Sequence, residues 1–356
     1  MKIYNVVLIG CGHMGEVHLE HIYYQDYIRI SCVCDTNIER AKTFARRFSA
    51  ASISTDAKEC ISREDTDIVI IATYPSTHLE LLKLCIQHKK HIICEKPIAT
   101  NLKDGKEFVK LVKENPDVKV LIGHILRHNA TYRKVAKMIQ EGAIGKPIVM
   151  RMTQNHHTMN WDRYRKLIEE TSPIIDCGVH YLDVMRWFTD AEITDVSGIG
   201  MRTEEDLPEN KCNYEMVTVK LSDGSIGYYE AGWTRTISAN NTKEFVGPKG
   251  SIRLIFAKDR MDHQEEGDLI EYYSLEDKCY HTINVQAERK PTDVQMRCLI
   301  RMIEENLPDR PAIDDVYASF EATIKAEETI QNARFQHPKC KISTSNLAIC
   351  IQYIVY

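Results

Sequence analysis

The chain has 356 residues, of which 43% are hydrophobic and 27% are charged, and its formal net charge is -5. This length is typical of two domains, and the composition excludes a disordered, collagen-like or membrane-bundle protein. The charge balance provides no basic surface for nucleic acid, and no apolar run approaches the roughly 20 residues that span a bilayer. The first residues lack a secretory pattern and the 12 cysteines lack C-x-x-C spacing. We therefore expect a cytoplasmic protein whose thiols are mostly free and buried.

Short Val/Ile-rich runs alternate with helical patterns over the first 123 residues. Strands are predicted at 3–9, 28–34, 67–72, 91–94 and 118–122, and helices at 14–24, 37–47, 77–88 and 102–113. These strands are apolar throughout rather than at every second residue, as expected when helices cover both faces of a parallel sheet. The pattern predicts an α/β domain of the Rossmann type, a doubly wound parallel sheet, over residues 1–123.

A glycine-rich turn, GCGHMG at residues 10–15, separates the first predicted strand from the first helix. Three glycines at this spacing permit a tight turn, a close approach of backbone N–H groups to a pyrophosphate, and close packing of the helix on the strand. Asp35 ends the second strand 20 residues after Gly15, where a carboxylate can accept hydrogen bonds from an adenosine ribose. We predict a dinucleotide site that includes Gly10, Gly12, His13, Met14, Gly15 and Asp35.

The residue at position 35 also bears on the choice of cofactor. A carboxylate there repels a 2′-phosphate, and Thr36 and Asn37 supply no cation to hold one. The sequence therefore favours NAD over NADP. Arg40, one turn into the next helix, could reach a phosphate, so NADP stays open as the alternative.

A proline-started helix is predicted from Pro173 to about Phe188, with Ser172 as its N-cap. Asp176, His180 and Asp183 then share one face of an otherwise apolar helix. Polar groups on such a helix are costly to bury without partners or a purpose.

From Pro147 onwards the pattern changes to longer alternating strands, predicted at 148–154, 193–201, 216–221, 225–233, 242–246 and 251–256. Asp223-Gly224 between two of them is a hairpin signal. We predict an α+β domain over residues 124–343 with a large, open, mainly antiparallel sheet and helices on one face. Its other face is then available for subunit association. Residues 344–356 form an apolar extension that we expect to pair with a sheet edge or to dock on a partner.

Four motifs, in order along the chain, resemble those of the Gfo/Idh/MocA family: ATYPSTH at 72–78, EKP at 95–97, GAIGKP at 142–147 and DCGVHYLD at 176–183. The resemblance runs from residue 3 to about 343. It implies NAD(P)-dependent oxidation or reduction of a hydroxyl on a sugar, a glycoside or a cyclic polyol such as inositol. It also implies association through the C-terminal sheet into a homodimer or homotetramer.

The resemblance further implies roles for individual residues. Lys96 hydrogen-bonds the reacting hydroxyl and stabilises the developing alkoxide, His180 is the general base, and Asp176 is its neighbour on the substrate. Thr73, His78, Glu95 and Lys96 line the cofactor, and Glu95 also positions Lys96. A metal ion held by His156, His157, Asp176 and His180 has unconvincing ligand spacing, so no metal is predicted.

Residues 154–171 are predicted to leave the first long strand as a loop rich in hydrogen-bonding groups around one aromatic residue. That composition suits a polyhydroxylated ring with apolar C–H faces. We expect the substrate contacts to be Lys96, Asp176, His180, His157, Trp161 and Tyr164; the alternative for the loop residues is a solvated segment.

Three functions are compatible with these features. The first is an NAD-dependent dehydrogenase that transfers hydride between a ring hydroxyl and the nicotinamide, with Lys96 and His180 in proton transfer. The second is an NAD-dependent glycoside-cleaving enzyme that acts by transient C3 oxidation and elimination. The third is a non-catalytic NAD(H) sensor.

Overall fold

The computed structural model describes residues 2–260 and 266–335, which build two sheets with their covering helices. The predicted extension at 344–356 and the last residues of the predicted second domain lie outside the described residues. Within them, no helix is both long enough and apolar enough to cross a membrane.

The N-terminal sheet is parallel throughout, with the strand order β3-β2-β1-β4-β5-β6. Its strands are β1 (Tyr4–Ile9), β2 (Ile28–Cys34), β3 (Ile53–Ser54), β4 (Ile68–Ile71), β5 (His91–Cys94) and β6 (Val120–Ile122). Its connecting helices are α1 (His13–Ile22), α2 (Ile38–Phe48), α3 (Ala57–Ser62), α4 (His78–Gln87) and α5 (Leu102–Glu114). The strand order reverses between β1 and β4, and ligands of such sheets bind at that point, outside the carboxyl ends of the strands. The predicted doubly wound Rossmann sheet is confirmed, with β3 and α3 as short additions.

The second sheet has eight strands in the order β14-β13-β12-β11-β7-β10-β9-β8. The strands are β7 (Val149–His157), β8 (Ile193–Met201), β9 (Tyr214–Leu221), β10 (Ile226–Thr234), β11 (Lys243–Gly247), β12 (Gly250–Ile255), β13 (Asp268–Ser274) and β14 (Cys279–Val285). The helices are α6 (Ala130–Gln140), α7 (Trp161–Glu170), α8 (Val179–Thr189), α9 (Thr292–Glu304) and α10 (Ile313–Phe335). Only β7 and β10 pair in parallel, so the predicted mainly antiparallel sheet is confirmed.

The alternation of residues along the second sheet separates a buried face from an open one. Met150, Val217, Tyr229 and Phe245 are fully buried against the helices. Removal of such side chains from water is the main favourable contribution to folding. The helices near the C-terminal end of the described chain also pack on the first sheet, since Leu299 of α9 joins the core cluster beneath β1.

Two local expectations differ from the structure. The single helix predicted from residue 173 is instead a π-helix, Ile174–Gly178, that continues into α8. Wider turns of this kind occur frequently at functional sites. The predicted loop at 154–171 is wrong. Residues 154–157 belong to β7, and residues 161–170 form α7. Trp161, Tyr164 and Leu167, spaced as on one helix face, pack on the core, and the Asn160 side chain caps the helix by accepting from the Arg163 amide.

Candidate active site

The glycine-rich turn has the shape that a pyrophosphate requires. A Cβ atom at Gly10 would lie 2.5 Å from the Ala72 oxygen, and one at Gly15 would lie 2.1 Å from the Gly10 oxygen, so the turn needs glycine at both positions. A Cβ atom at Gly12 would meet nothing within 4 Å, which leaves that side open. The first turn of α1 begins there, and its backbone N–H groups have no intrahelical partners. The residues present therefore fit a dinucleotide.

Asp35 lies beside this turn and helps to fix it. Its Oδ2 accepts a hydrogen bond from the Cys11 amide at 2.9 Å, and its Oδ1 accepts one from the Asn37 amide at 2.8 Å. The carboxylate therefore holds the end of β2 against the glycine turn. The remaining lone pairs of a carboxylate can still accept ribose hydroxyls.

Replacing Asp35 by asparagine tests its control of cofactor choice. Asparagine keeps an oxygen for the Cys11 amide but removes the charge that repels a 2′-phosphate. We expect kcat/KM with NADP, divided by kcat/KM with NAD, to rise about tenfold, equivalent to about 1.4 kcal/mol. Exposed Asp26, changed to asparagine, is the matched control. An unchanged ratio in Asp35→Asn, or a wild-type preference for NADP, would contradict the role of Asp35.

His78 and Thr73 connect the turn after β4 to the EKP segment. The His78 ring is fully buried, with Nδ1 at 3.0 Å from the Pro97 oxygen and Nε2 at 3.2 Å from the Thr73 oxygen. Both ring nitrogens thus face backbone carbonyls. Thr73 is only partly buried, and its hydroxyl lies 2.6 Å from that of Thr77. Of the two predicted cofactor contacts, Thr73 is the one placed at the open edge.

Glu95 is a buried carboxylate that links β5 to α1. Its Oε1 lies 2.7 Å from Nε2 of His18, and both side chains are almost fully buried. Burial alone would raise the pKa of Glu95, but His18 and Lys96 outweigh it and the pKa is lowered. Glu95 is therefore ionised and supports the neighbouring Lys96. The sequence analysis missed His18, because nothing near it in sequence indicates a partner 77 residues away.

Lys96 and Asp176 meet across the two parts of the chain. The Lys96 ammonium donates to Oδ1 and to the backbone oxygen of Asp176, each at 2.9 Å. Burial opposes charge on Lys96, but the negative charges of Asp176 and Glu95 outweigh it, so the pKa of Lys96 is raised. Burial likewise opposes charge on Asp176, and Lys96 reverses the effect and lowers its pKa. The pair is an ammonium and a carboxylate at neutral pH.

His180 is neutral, in contrast to the charged side chains of Lys96 and Asp176. Burial, followed by the positive charge of Lys96, holds the pKa of His180 well below its usual value. The imidazole is therefore neutral, as a general base must be. Its Nδ1 has no hydrogen-bond partner among the described residues, and its ring meets that of His124 edge-on with centroids 6.0 Å apart.

Asp183, the last residue of the 176–183 motif, holds α8 in place. Its two carboxylate oxygens accept from Nε and an Nη of Arg127, both at 2.8 Å, and Oδ1 also accepts from the Ser319 hydroxyl at 3.0 Å. Asp183 is almost fully buried, so these bonds offset the cost of burying its charge. The three polar residues that share one face of this helix thus have two different roles. Asp176 and His180 belong to the candidate site, whereas Asp183 anchors the helix.

The three predicted substrate contacts from residues 154–171 separate in the structure. The Tyr164 hydroxyl lies 3.0 Å from Nδ1 of His156, and the charge of Asp176 contributes to the pKa of both groups. Trp161 instead donates from Nε1 to Asp206 at 2.7 Å. His157 is exposed, with Nδ1 at 3.1 Å from the Ile237 oxygen. Tyr164 therefore stays a candidate for substrate contact, whereas Trp161 contacts the loop 202–213 and His157 the loop 235–242.

Lys290 is a further residue at the site that the sequence analysis missed. Its ammonium lies 2.8 Å from Nε2 of His13 and 3.4 Å from the sulfur of Met14. His13 and Met14, two of the predicted cofactor residues, therefore contact a lysine that lies more than 270 positions later in the chain. No local pattern marks this lysine. Within residues 2–260 and 266–335, no cluster of three or more His, Cys, Asp or Glu side chains could hold a metal ion.

Several histidines are buried in neutral form, which predicts loss of stability in acid. Burial, followed by Arg133 and other charges, lowers the pKa of His128 to about 4. The unfolded chain, with a histidine pKa near 6.5, binds the proton more tightly, so stability is complete above about pH 6.5 and falls as the pH drops towards 4. The free energy of unfolding, measured in urea, should fall between pH 7 and pH 5 in the wild type. In His128→Gln we expect this fall to be smaller by about 2 kcal/mol. The exposed His281→Gln variant should keep the full loss; equal pH dependence in both variants would contradict the assignment.

Comparisons with known proteins agree with this geometry. A family model described as an oxidoreductase family with an NAD-binding Rossmann fold matches residues 4–124. A model of the GFO/IDH/MocA C-terminal domain matches residues 132–253, so the two matches together cover more than half of the chain. Fold and site define an oxidoreductase with an NAD-binding Rossmann domain. The chain belongs to the Gfo/Idh/MocA family, as the four sequence motifs predicted.

Relatives and solved structures extend the comparison. Inositol 2-dehydrogenase of Rubrobacter xylanophilus is 26% identical over 253 residues, 70% of each chain. The scyllo-inositol 2-dehydrogenase (NAD(+)) of Bacillus subtilis is 28% identical over 250 residues, 69% of this chain and 72% of that one. The structure of myo-inositol 2-dehydrogenase from Lactobacillus plantarum has a TM-score of 0.79 at 19% identity and covers 93% of this chain and 98% of that chain. At this identity the structural likeness concerns the fold.

Proposed function

We propose that the protein is an NAD-dependent dehydrogenase that transfers hydride between a ring hydroxyl of a sugar, glycoside or cyclic polyol and the nicotinamide. The observation that carries the proposal is the ion pair between a charged Lys96 and an ionised Asp176, together with a neutral His180 whose pKa is lowered by burial and by the charge of Lys96. The two inositol dehydrogenases at 26% and 28% identity support a cyclic polyol as the substrate class.

The protonation states assign a separate role to each side chain. His180 is neutral, so one of its ring nitrogens accepts the proton of the reacting hydroxyl. Lys96 is charged, so its ammonium donates a hydrogen bond to the same oxygen and stabilises its developing negative charge. Asp176 holds the ammonium in place and can accept a hydrogen bond from a neighbouring hydroxyl. Bound NAD supplies the hydride acceptor.

A panel of inositols, aldoses and glucosides, followed by NADH absorbance with parallel analysis of the products, tests this function. Oxidation of a ring hydroxyl with one NADH per product would support the dehydrogenase. Release of an aglycone without net NADH would instead support the glycoside-cleaving enzyme. Tight NAD(H) binding without hydride transfer to any member would favour the sensor.

We also propose that the protein forms a homodimer or homotetramer through the open face of the second sheet. Side chains at Ile226, Val149 and Val246 lie in one row across β10, β7 and β11, and each is more than a third exposed. Such a contiguous apolar row favours a partner surface. We expect light scattering to give a dimer or tetramer for the wild type and a smaller species for Ile226→Glu. A wild-type monomer would contradict the proposal.

The cysteines support a cytoplasmic location as part of the proposal. Nine cysteines of the described residues are free thiols, and seven of these are buried. Free thiols in this number are typical of a reducing compartment.

A further inference from the structure

Glu215 is a fully buried carboxyl group that the mechanism above does not use. It lies on β9, and its Oε2 accepts a hydrogen bond from the Ile174 amide at 2.9 Å. Ile174 is the first residue of the π-helix that carries Asp176. A buried carboxyl group is costly unless it has partners or a purpose, and the amide that it binds lies two residues before the site.

The next two amides of the π-helix are held in a similar manner. The Ile175 amide donates to the Ser172 hydroxyl at 3.2 Å, and the Asp176 amide donates to the Ser172 carbonyl at 2.9 Å. The Ser172 hydroxyl itself donates to Glu327 of α10 at 2.6 Å, and Glu327 also accepts from Gln331 at 2.6 Å. The first amides of a helix have no partner within the helix. Side chains from β9 and α10 therefore fix the point at which this helix begins.

Lys96 contacts the backbone of this π-helix as well as a side chain. Its ammonium donates at 2.9 Å both to Oδ1 and to the backbone oxygen of Asp176. A carboxylate can follow a small shift of the chain by rotating, but a backbone oxygen moves with the helix. The place of the ammonium therefore depends on the path of the chain through Ile174–Gly178. A displacement of about 1 Å at a reacting group can cost about a hundredfold in rate.

The surroundings of Glu215 favour its neutral form. Burial and then the charge of Glu327 hold the pKa of Glu215 well above its usual value, although the bond from the Ile174 amide opposes them. The Oε1 atom of Glu215 is buried and has no hydrogen-bond partner in the part of the chain that the structure describes. A glutamine has the shape of the neutral carboxyl group and keeps an acceptor oxygen for the amide.

We propose that Glu215 is a positioning residue of the reaction centre. By accepting from the Ile174 amide it sets the start of the π-helix, which places the backbone oxygen and the carboxylate of Asp176 against the Lys96 ammonium. The inference rests on the proposed function, because it concerns the same ammonium. Glu215 acts through Asp176 and not on the substrate.

Three substitutions of Glu215 test the inference in the full-length protein. Glu215→Leu removes the acceptor oxygen, Glu215→Asp withdraws it by one methylene, and Glu215→Gln keeps it. We expect kcat on the polyol substrate to fall about a hundredfold in Glu215→Leu, to fall less in Glu215→Asp, and to stay close to the wild-type value in Glu215→Gln. NADH affinity, measured by fluorescence titration, should be unchanged in all three, since the cofactor turn is built from other residues. Val217→Ala is the matched control: it removes buried volume from the same face of β9, so it should lower the urea midpoint and leave kcat unchanged.

A double-variant cycle separates positioning from general destabilisation. If Glu215 acts through Lys96, Glu215→Leu should reduce kcat little further in the Lys96→Met background, whereas a general loss of structure would multiply the two effects. Should Glu215→Leu fail to fold, Glu215→Asp takes its place in the cycle. Independently of turnover, NMR of lysine-labelled protein follows the titration of Lys96, whose pKa is raised against burial by the charge of Asp176. We expect this pKa to fall in Glu215→Leu and in Glu215→Asp.

The outcomes separate this inference from the proposed function. A wild-type kcat in folded Glu215→Leu, a loss of equal size in Glu215→Gln, or effects that multiply in the double variant would each overturn the inference and leave the dehydrogenase standing. Absence of hydride transfer from every ring substrate in the wild type would instead contradict the proposed function. The titration of Lys96 would then decide the inference, and an unchanged pKa in Glu215→Leu and Glu215→Asp would overturn it.

Discussion

Lys96→Met lowers kcat for the polyol substrate by about two to three orders of magnitude, the usual loss when one donor to a developing oxyanion is removed. Methionine has a similar length but no charge, so the reacting oxygen loses its hydrogen-bond donor and Asp176 loses its partner at 2.9 Å. The cofactor turn is built from other residues, so NADH affinity, measured by fluorescence titration, should stay close to that of the wild type.

The pH profile distinguishes this role from a structural one. The charge of Lys96 helps to hold down the pKa of His180, so its removal should move the acid limb of kcat/KM to higher pH. Lys83→Met, which removes a surface lysine paired with Glu80, is the control and should leave both rate and profile unchanged. Near-normal turnover in Lys96→Met on the true substrate would refute the assignment.

His180→Asn lowers kcat by about two to four orders of magnitude, the usual contribution of a positioned general base. Asparagine keeps a polar side chain on α8 but cannot accept and release the proton. The remaining rate should lose the acid limb that the imidazole imposes and rise with hydroxide concentration instead. Steady-state kinetics from pH 5 to pH 9 measures both effects.

Exposed His281→Asn on β14 is the matched control for the loss of an imidazole, and its kinetics should equal those of the wild type. NADH affinity of His180→Asn should also be unchanged, since the hydrogen bonds of the glycine turn and of Asp35 among the described residues do not involve this ring. A variant that retains the wild-type rate and pH profile would show that another group takes the proton.

Local sequence was sufficient for the glycine turn and the strands of the first domain. β2 and β5 occupy the predicted residues, because a buried parallel strand is apolar throughout and is bounded by turn residues. The helix α7 was also encoded locally, by Asn160 as its cap and by apolar residues three apart, but the polar composition of the segment indicated a loop instead. The π-helix at Ile174–Gly178 was not predicted, because the same residues fit the spacing of an ordinary helix.

The partners of the site residues could not be predicted in the same way. Sequence motifs singled out Lys96, Asp176 and His180, but their protonation states depend on burial and on charges that lie up to 110 positions apart in the chain. The bond between Lys290 and His13 joins residues separated by 277 positions. Contacts of this kind arise only when distant segments pack together, and their energies depend on how much water that packing excludes.

The sequence by itself determined two sheets, a dinucleotide turn and the residue types of an oxidoreductase, because hydrophobic periodicity and glycine spacing are local properties of the chain. The tertiary structure alone decided which titratable groups are charged: it buried His180 within reach of the charge of Lys96, paired Glu95 with His18, and brought Lys290 to 2.8 Å from His13. Burial and long-range proximity set these charges, and neither is written in any short segment of sequence.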